Sequence, residues 1–278
     1  GLGDVGKAGR LKICREHREQ RRLALENADG VDGDGGDEDG DAHIGGRRAD
    51  DARAGAGLDV DAVLIPKVDG PDDLDRVADL IPDTPLWAMM ETPLGMLNAA
   101  AIAAHPRVQS ISFGLMDFVS AHGGAIPASA MGVQGQFEHP LVLRAKLEIA
   151  AACHAHGKVA SHCVVTEFKD TAALAQAARQ ASQRLGYTRM WSIHPAQIRP
   201  IVAAFAPAAD AAATAAAILL AAESAHWGPI SHEGVLHDRA SYRYYWQVLQ
   251  RAAQTGLTLP DNVRRWFAED GQPVASHC

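Results

Sequence analysis

Glu91 closes an apolar run, Leu86-Trp-Ala-Met-Met90, and Asp117 stands three residues beyond Gly114, which closes another run from Val108 to Phe113. Carboxylates at the ends of neighbouring buried strands reach a single ion. A site with only two of them suits Mg²⁺ or Mn²⁺, which keep waters and leave positions open for substrate oxygens. The same pattern also fits an exposed loop acid at Asp117 and a strand-end salt bridge at Glu91. Lys67 ends a third run and reads either as a group lining the same mouth or as a partner of Asp69 or Asp72. A rival cluster, Cys153, His154, His156, His162 and Cys163, has zinc-compatible ligand types, but its spacing matches no common structural zinc site. His154 and His156 read better as the cationic last turn of a helix ended by Gly157, and Cys163 as a small core residue. The segment Ser161 to Phe168 falls at a strand end, so His162 and Glu167 are expected to shape substrate choice.

The elements that must position these groups begin near Leu58. Apolar runs that read as buried strands are Ala62 to Ile65, Leu86 to Met90, Val108 to Phe113, Lys158 to Val165 and Thr188 to Ile193. Helices are expected between them: one opening at Pro71 with acids in its first turn, one from Leu141 to His156, and one from Thr171 to Leu185 stopped by Gly186. Short buried strands alternating with helices indicate parallel βαβ units. Their repeat of roughly 25 to 30 residues fits a barrel or an open doubly wound sheet. Two further helices are expected, from Asp210 to His226 and from Ser241 to Gln254.

Three segments follow: a Gly/Asp/Arg-rich stretch over 1–57, an α/β barrel portion with the metal site over 58–206, and a helical extension over 207–278. The first holds too little apolar surface to offset the entropy of ordering it. Within its acidic run Gly30 to Asp41, the window opening at Asp37 lacks a glycine at the sixth position of an EF-hand loop and has Arg48 where that loop needs its bidentate glutamate. A formal charge of −8 argues against nucleic acid or an anionic membrane as partner. The longest apolar stretch, Ala211 to Ala222, falls short of a bilayer span. The four cysteines have no framework spacing and no signal peptide is evident, so a reduced, cytoplasmic protein is expected.

Four motifs then occur in order: Ile65-Pro-Lys-Val68, Met90-Glu-Thr-Pro-Leu-Gly-Met-Leu-Asn98, Phe113-Gly-Leu-Met-Asp117 and Ser192-Ile-His-Pro-Ala-Gln-Ile198. Together they resemble the HpcH/HpaI aldolase superfamily, and within it the citrate lyase β-subunit-like and malyl-CoA lyase branch. The resemblance covers roughly Leu58 to Phe205. It implies a TIM (β/α)₈-type barrel, with Glu91 and Asp117 matching the family's two metal-binding carboxylates. It also implies Mg²⁺-dependent cleavage or formation of a β-hydroxyacyl-CoA thioester such as malyl-CoA or citryl-CoA, giving an acyl-CoA and an oxo acid. His194 with Pro195 matches an end-of-barrel motif that lines the thioester channel, although a histidine satisfied by a backbone carbonyl fits the residues equally.

Two departures qualify the resemblance. The family begins with three further strands, one ending in a substrate-holding arginine, and Gly1 to Gly57 contains no comparable apolar strand. That segment is therefore expected not to be the natural start, its composition resembling a GC-rich frame read out of register. The alternative is a degraded member that needs a partner to complete its sheet. The branch also carries an aspartate that reaches into a neighbouring subunit's site to handle a proton. Asp238 is the acid near that position here, and it reads as that donor or as a plain surface acid. The cross-subunit tail implies a homotrimer or a multiple of one. Rival functions are a pyruvate-type aldolase acting without CoA and an inactive, incomplete family member.

Overall fold

A computed structural model describes residues 60–81, 83–167 and 169–267, with the backbone of Lys12–Cys14. The chain divides into two units, Gly1–Ile198 and Arg199–Cys278. The expected disordered or non-native segment over 1–57 lies outside the described residues, apart from Lys12–Cys14.

The first unit runs β1 (Lys12–Cys14), β2 (Ala62–Ile65), α1 (Pro71–Ala78), β3 (Leu86–Met90), α2 (Pro93–Leu97), α3 (Ala99–Ala104), β4 (Val108–Phe113) and α4 (Leu115–Ser120). After two 3₁₀ turns come α5 (Pro140–Ala155), β5 (Val159–His162), α6 (Thr171–Leu185) and β6 (Arg189–Met190), and the boundary between the units falls within the next helix, α7 (Pro195–Phe205). Local chemistry sets the boundaries. Pro71 opens α1, and the Asp73 carboxylate accepts from the N–H groups of Asp69 and Gly70 ahead of it. Asp170 caps α6 by accepting from Ala172 and Ala173, and Gly186 ends it in the left-handed region at φ 75°.

The strands form one sheet in the order β1-β2-β3-β4-β5-β6, with β1 antiparallel to β2 and the other five parallel. Order in space follows order in sequence without reversal. Right-handed crossovers then put the helices on one face, which is barrel topology; a doubly wound sheet would reverse its order. The register pairs Met89 with Ser112, Ser112 with Ser161, and Ser161 with Arg189, so these share a face. Alternation puts Met90, Phe113, His162 and Met190 on the other, where α3 and α5 pack on β4 and β5.

Several elements differ from the sequence expectation. The runs from Lys158 and Thr188 keep only Val159–His162 and Arg189–Met190 in the ladder, and α2, α3 and α4 occupy stretches read as connections. Lys12–Cys14 forms a three-residue strand where none was expected. A run that short carries no readable periodicity.

His162 requires a correction. It was expected at the mouth, shaping substrate choice, but it is fully buried on the helix-covered face. Its ring stacks on Phe137 and meets Tyr187 edge-on, with centroids 5.4 and 5.0 Å away. Burial first, and then the Lys146 charge, hold its pKa well below the usual histidine value. Period-2 alternation sends it to the side opposite Ser161.

The second unit contains α8 (Ala209–Ser224), the hairpin β7 (Ile230–His232) and β8 (Val235–His237), α9 (Arg239–Gln254) and α10 (Asp261–Arg264). Its core joins an alanine-rich stripe of α8 and its Ile218 and Leu219 to Tyr242, Leu249, Trp266 and Phe267. Among the described residues, no single helix is long and apolar enough to cross a membrane.

Candidate metal centre

Glu91 follows Met90 at the C-terminal end of β3, so alternation directs it to the face of Met89 and Ser112, opposite the helices. Its neighbour across the ladder is Gly114, whose N–H donates to Met90 O at 3.0 Å. A Cβ at Gly114 would lie 2.6 Å from Glu91 Cβ and would overlap Glu91 Oε2. The glycine is therefore required for the carboxylate to lie across the end of β4. One turn further on, Asp117 stands in the first turn of α4.

Lys67 completes the group from the turn after β2. Its φ of 50° is unusual for a residue with a side chain. In this conformation its N–H donates to Glu91 Oε1 at 2.8 Å, while its Nζ lies 3.8 Å from Asp117 Oδ1. The structure thus brings Glu91, Asp117 and Lys67 together. Lys67 faces Asp117, whereas Asp69 pairs with Thr92.

Glu91 is only 6% exposed. Burial, reinforced by the negative charge of Asp117 and a hydrogen bond with it, pushes the carboxyl up to about 7, against the opposing pull of the Lys67 N–H and ammonium. The buried Glu91 carboxylate and the exposed Asp117 beside it repel each other unless a cation or a proton sits between them. Hard oxygen donors of this kind fit Mg²⁺ or Mn²⁺. Among the described residues no three or more His, Cys, Asp and Glu side chains gather into a metal-holding group.

His194 lies in the turn after β6, and Pro195 opens α7. The Ala196 N–H donates to His194 Nδ1 at 3.2 Å, which puts the ring proton on Nε2, and Ser192 Oγ donates to the His194 carbonyl at 2.8 Å. Gln197 ties this turn down by accepting from Ile193 N–H and donating to Val165 O. Asp238 belongs to the second unit, where it caps α9 by accepting from the Ala240 N–H at 2.9 Å. Glu167 is exposed and accepts from Thr166 Oγ1. Sequence reasoning missed Gly114 as a packing partner of Glu91; its signal was a glycine immediately after a strand that faces an acid.

The model of the HpcH/HpaI aldolase/citrate lyase family matches residues 47–195, more than half of the chain. A (3S)-malyl-CoA thioesterase of Cereibacter sphaeroides is 39% identical over 57% of this chain and 52% of its own. The chain thus spans about half the length of such curated relatives. A crystal structure of a citrate lyase from Burkholderia xenovorans is 48% identical, covering 82% of this chain and 74% of that one, with a TM-score of 0.69. The CitE protein of Mycobacterium tuberculosis, solved with magnesium, acetoacetate and coenzyme A, is 28% identical with a TM-score of 0.59, covering 74% of this chain and 73% of that one.

Proposed function

Because the chain belongs to the HpcH/HpaI aldolase/citrate lyase family, we propose that it cleaves or forms a β-hydroxyacyl-CoA thioester of the malyl- or citryl-CoA class, with an acyl-CoA and an oxo acid as the fragments. The observation that carries this reading is the convergence of Glu91 and Asp117 at the ends of adjacent parallel strands, braced by Lys67. Glu91 and Asp117 would hold Mg²⁺, which supplies Lewis-acid charge for the oxo-acid oxygens.

The protein's own groups do the rest. The Lys67 N–H orients Glu91, so that one carboxylate oxygen is committed to the backbone and the other stays toward Asp117. The Lys67 ammonium, half-exposed at the mouth, is placed to offset negative charge on the thioester enolate that C–C cleavage releases. His194 and Pro195 would line the thioester channel. Asp238 would deliver the proton in a neighbouring subunit of a cytoplasmic trimer or a multiple of one.

A second reading is hydrolysis of the same thioester, favoured by the 39% identity to a malyl-CoA thioesterase. Incubation with malyl-CoA and citryl-CoA, with and without Mg²⁺, separates the two. Acetyl-CoA with glyoxylate or oxaloacetate marks C–C cleavage, whereas free CoA with malate or citrate marks hydrolysis. No Mg²⁺-dependent product from either thioester would overturn both.

A further inference from the structure

We propose that Asp69 and Thr92 are positioning residues whose side-chain hydrogen bond latches the turn after β2 onto the end of β3, holding Lys67 against Glu91. The inference rests on the metal-site reading for its functional meaning and on geometry alone for its structural content.

Asp69 lies two residues after Lys67, and Thr92 directly follows Glu91. Thr92 Oγ1 donates to Asp69 Oδ1, joining the segments that carry the two site residues. Asn98 Nδ2 donates to Asp69 O at 2.6 Å, and the Val68 N–H donates to Met89 O at 3.1 Å. Gly95 allows the close approach, because a Cβ there would lie 2.5 Å from Val68 O. The turn needs such restraint. Lys67 holds a left-handed conformation that a residue with a side chain adopts only when its surroundings over-determine it. Released from the latch, the turn would relax toward φ below zero, and the Lys67 N–H would leave Glu91.

The test is amide hydrogen exchange by NMR on the metal-free protein, with Mg²⁺ titration calorimetry on the same samples. Thr92→Val is expected to speed exchange of the Lys67 amide about tenfold, as for the loss of one hydrogen bond, while Thr92→Ser stays near wild type and the α5 amides are unchanged. Thr92 also caps α2 by accepting from the Gly95 N–H. Asp69→Ala, which leaves that cap intact, isolates the latch and should give the same acceleration. It also serves if Thr92→Val does not fold. Wild-type Lys67 exchange in Asp69→Ala would overturn the proposal, whatever the calorimetry shows. Wild-type protein that takes up no Mg²⁺ while the Lys67 amide still responds would remove the metal reading and leave the latch standing.

Discussion

The backbone N–H of Lys67 donates to Glu91 Oε1 at 2.8 Å, joining residues 24 apart in sequence at the ends of two adjacent strands. The side chain of the same lysine turns to Asp117. One residue therefore contacts both acids, through chemically independent groups. A Lys67→Ala variant should keep the backbone bond and lose only the ammonium. It is expected to retain Mg²⁺ binding within a few-fold and to lose turnover by about 10²-fold or more, the scale of a removed charge-stabilising group. Parallel calorimetry and kinetics would check this split, and a loss of Mg²⁺ binding as large as the loss of turnover would contradict it.

The raised pKa of Glu91 sets a pH dependence for the metal-free protein. Between the ordinary carboxylate value of 4.5 and about 7, the folded state holds a proton that the unfolded state has released. The unfolded state thus binds fewer protons, and stability falls as pH rises through that window. The full effect is about 3 kcal/mol at most. Denaturant melts at pH 5 and pH 8 should show the drop, and Glu91→Gln should flatten it. Mg²⁺ competes with the same proton, so its affinity should fall below pH 7.

Glu91→Gln and Asp117→Asn are both expected to abolish Mg²⁺-dependent turnover. Asp117 is exposed, so its variant should change stability by no more than about 0.5 kcal/mol. Activity retained by either one would remove that residue from the site.

Gly114→Ala tests the packing that aims Glu91. The added methyl group would collide with Glu91 Cβ and Oε2, and it meets the base of the side chain as well as its flexible end. The variant should lose about 1–3 kcal/mol through overpacking, and Mg²⁺ binding with it. Calorimetry on a variant shown by circular dichroism to be folded would check both effects.

The legible parts of the chain were those where burial leaves a long, regular imprint. β2 and β3 were readable because their runs Ala62–Ile65 and Leu86–Met90 are wholly apolar, and β4 because Val108, Ile111 and Phe113 are buried although Gln109, Ser110 and Ser112 interrupt the run. Glu91 and Asp117 were readable because strand ends in parallel sheets converge on one mouth. α2 and α3 were not, since five or six residues give no helical period. α7 hid behind Pro200, which reads as a helix breaker. His162 went wrong because its face depends on the ladder register, and one residue of offset reverses every side chain.

Lys146 offers a test remote from the two acids. Its side chain is fully buried, donates to Gln136 Oε1 at 2.7 Å and lies over the Phe137 ring. Burial lowers its pKa to about 8, with Cys163 acting in the opposite direction. A lowered lysine pKa means that the unfolded state binds more protons between pH 8 and 10.5, so stability rises with pH across that window. Lys146→Met keeps an apolar side chain without the buried charge. Relative to wild type it should gain stability near pH 7, and the gain should shrink toward pH 10.5.

Asp238 has two separable roles to test. Its carboxylate caps α9, accepting from the Ala240 N–H at 2.9 Å, and the Asp238 N–H in return donates to Ser241 Oγ. Asparagine caps a helix about as well as aspartate, whereas alanine loses about 1 kcal/mol. Asp238→Ala should therefore lower stability by about that much, and Asp238→Asn by a few tenths at most. Asparagine cannot deliver a carboxylic proton. If Asp238 serves a neighbouring subunit's site, Asp238→Asn should lose turnover while keeping the melting temperature of the wild type. Equal activity in the asparagine variant and the wild type would leave Asp238 as a cap alone, and the proton would have to come from another group.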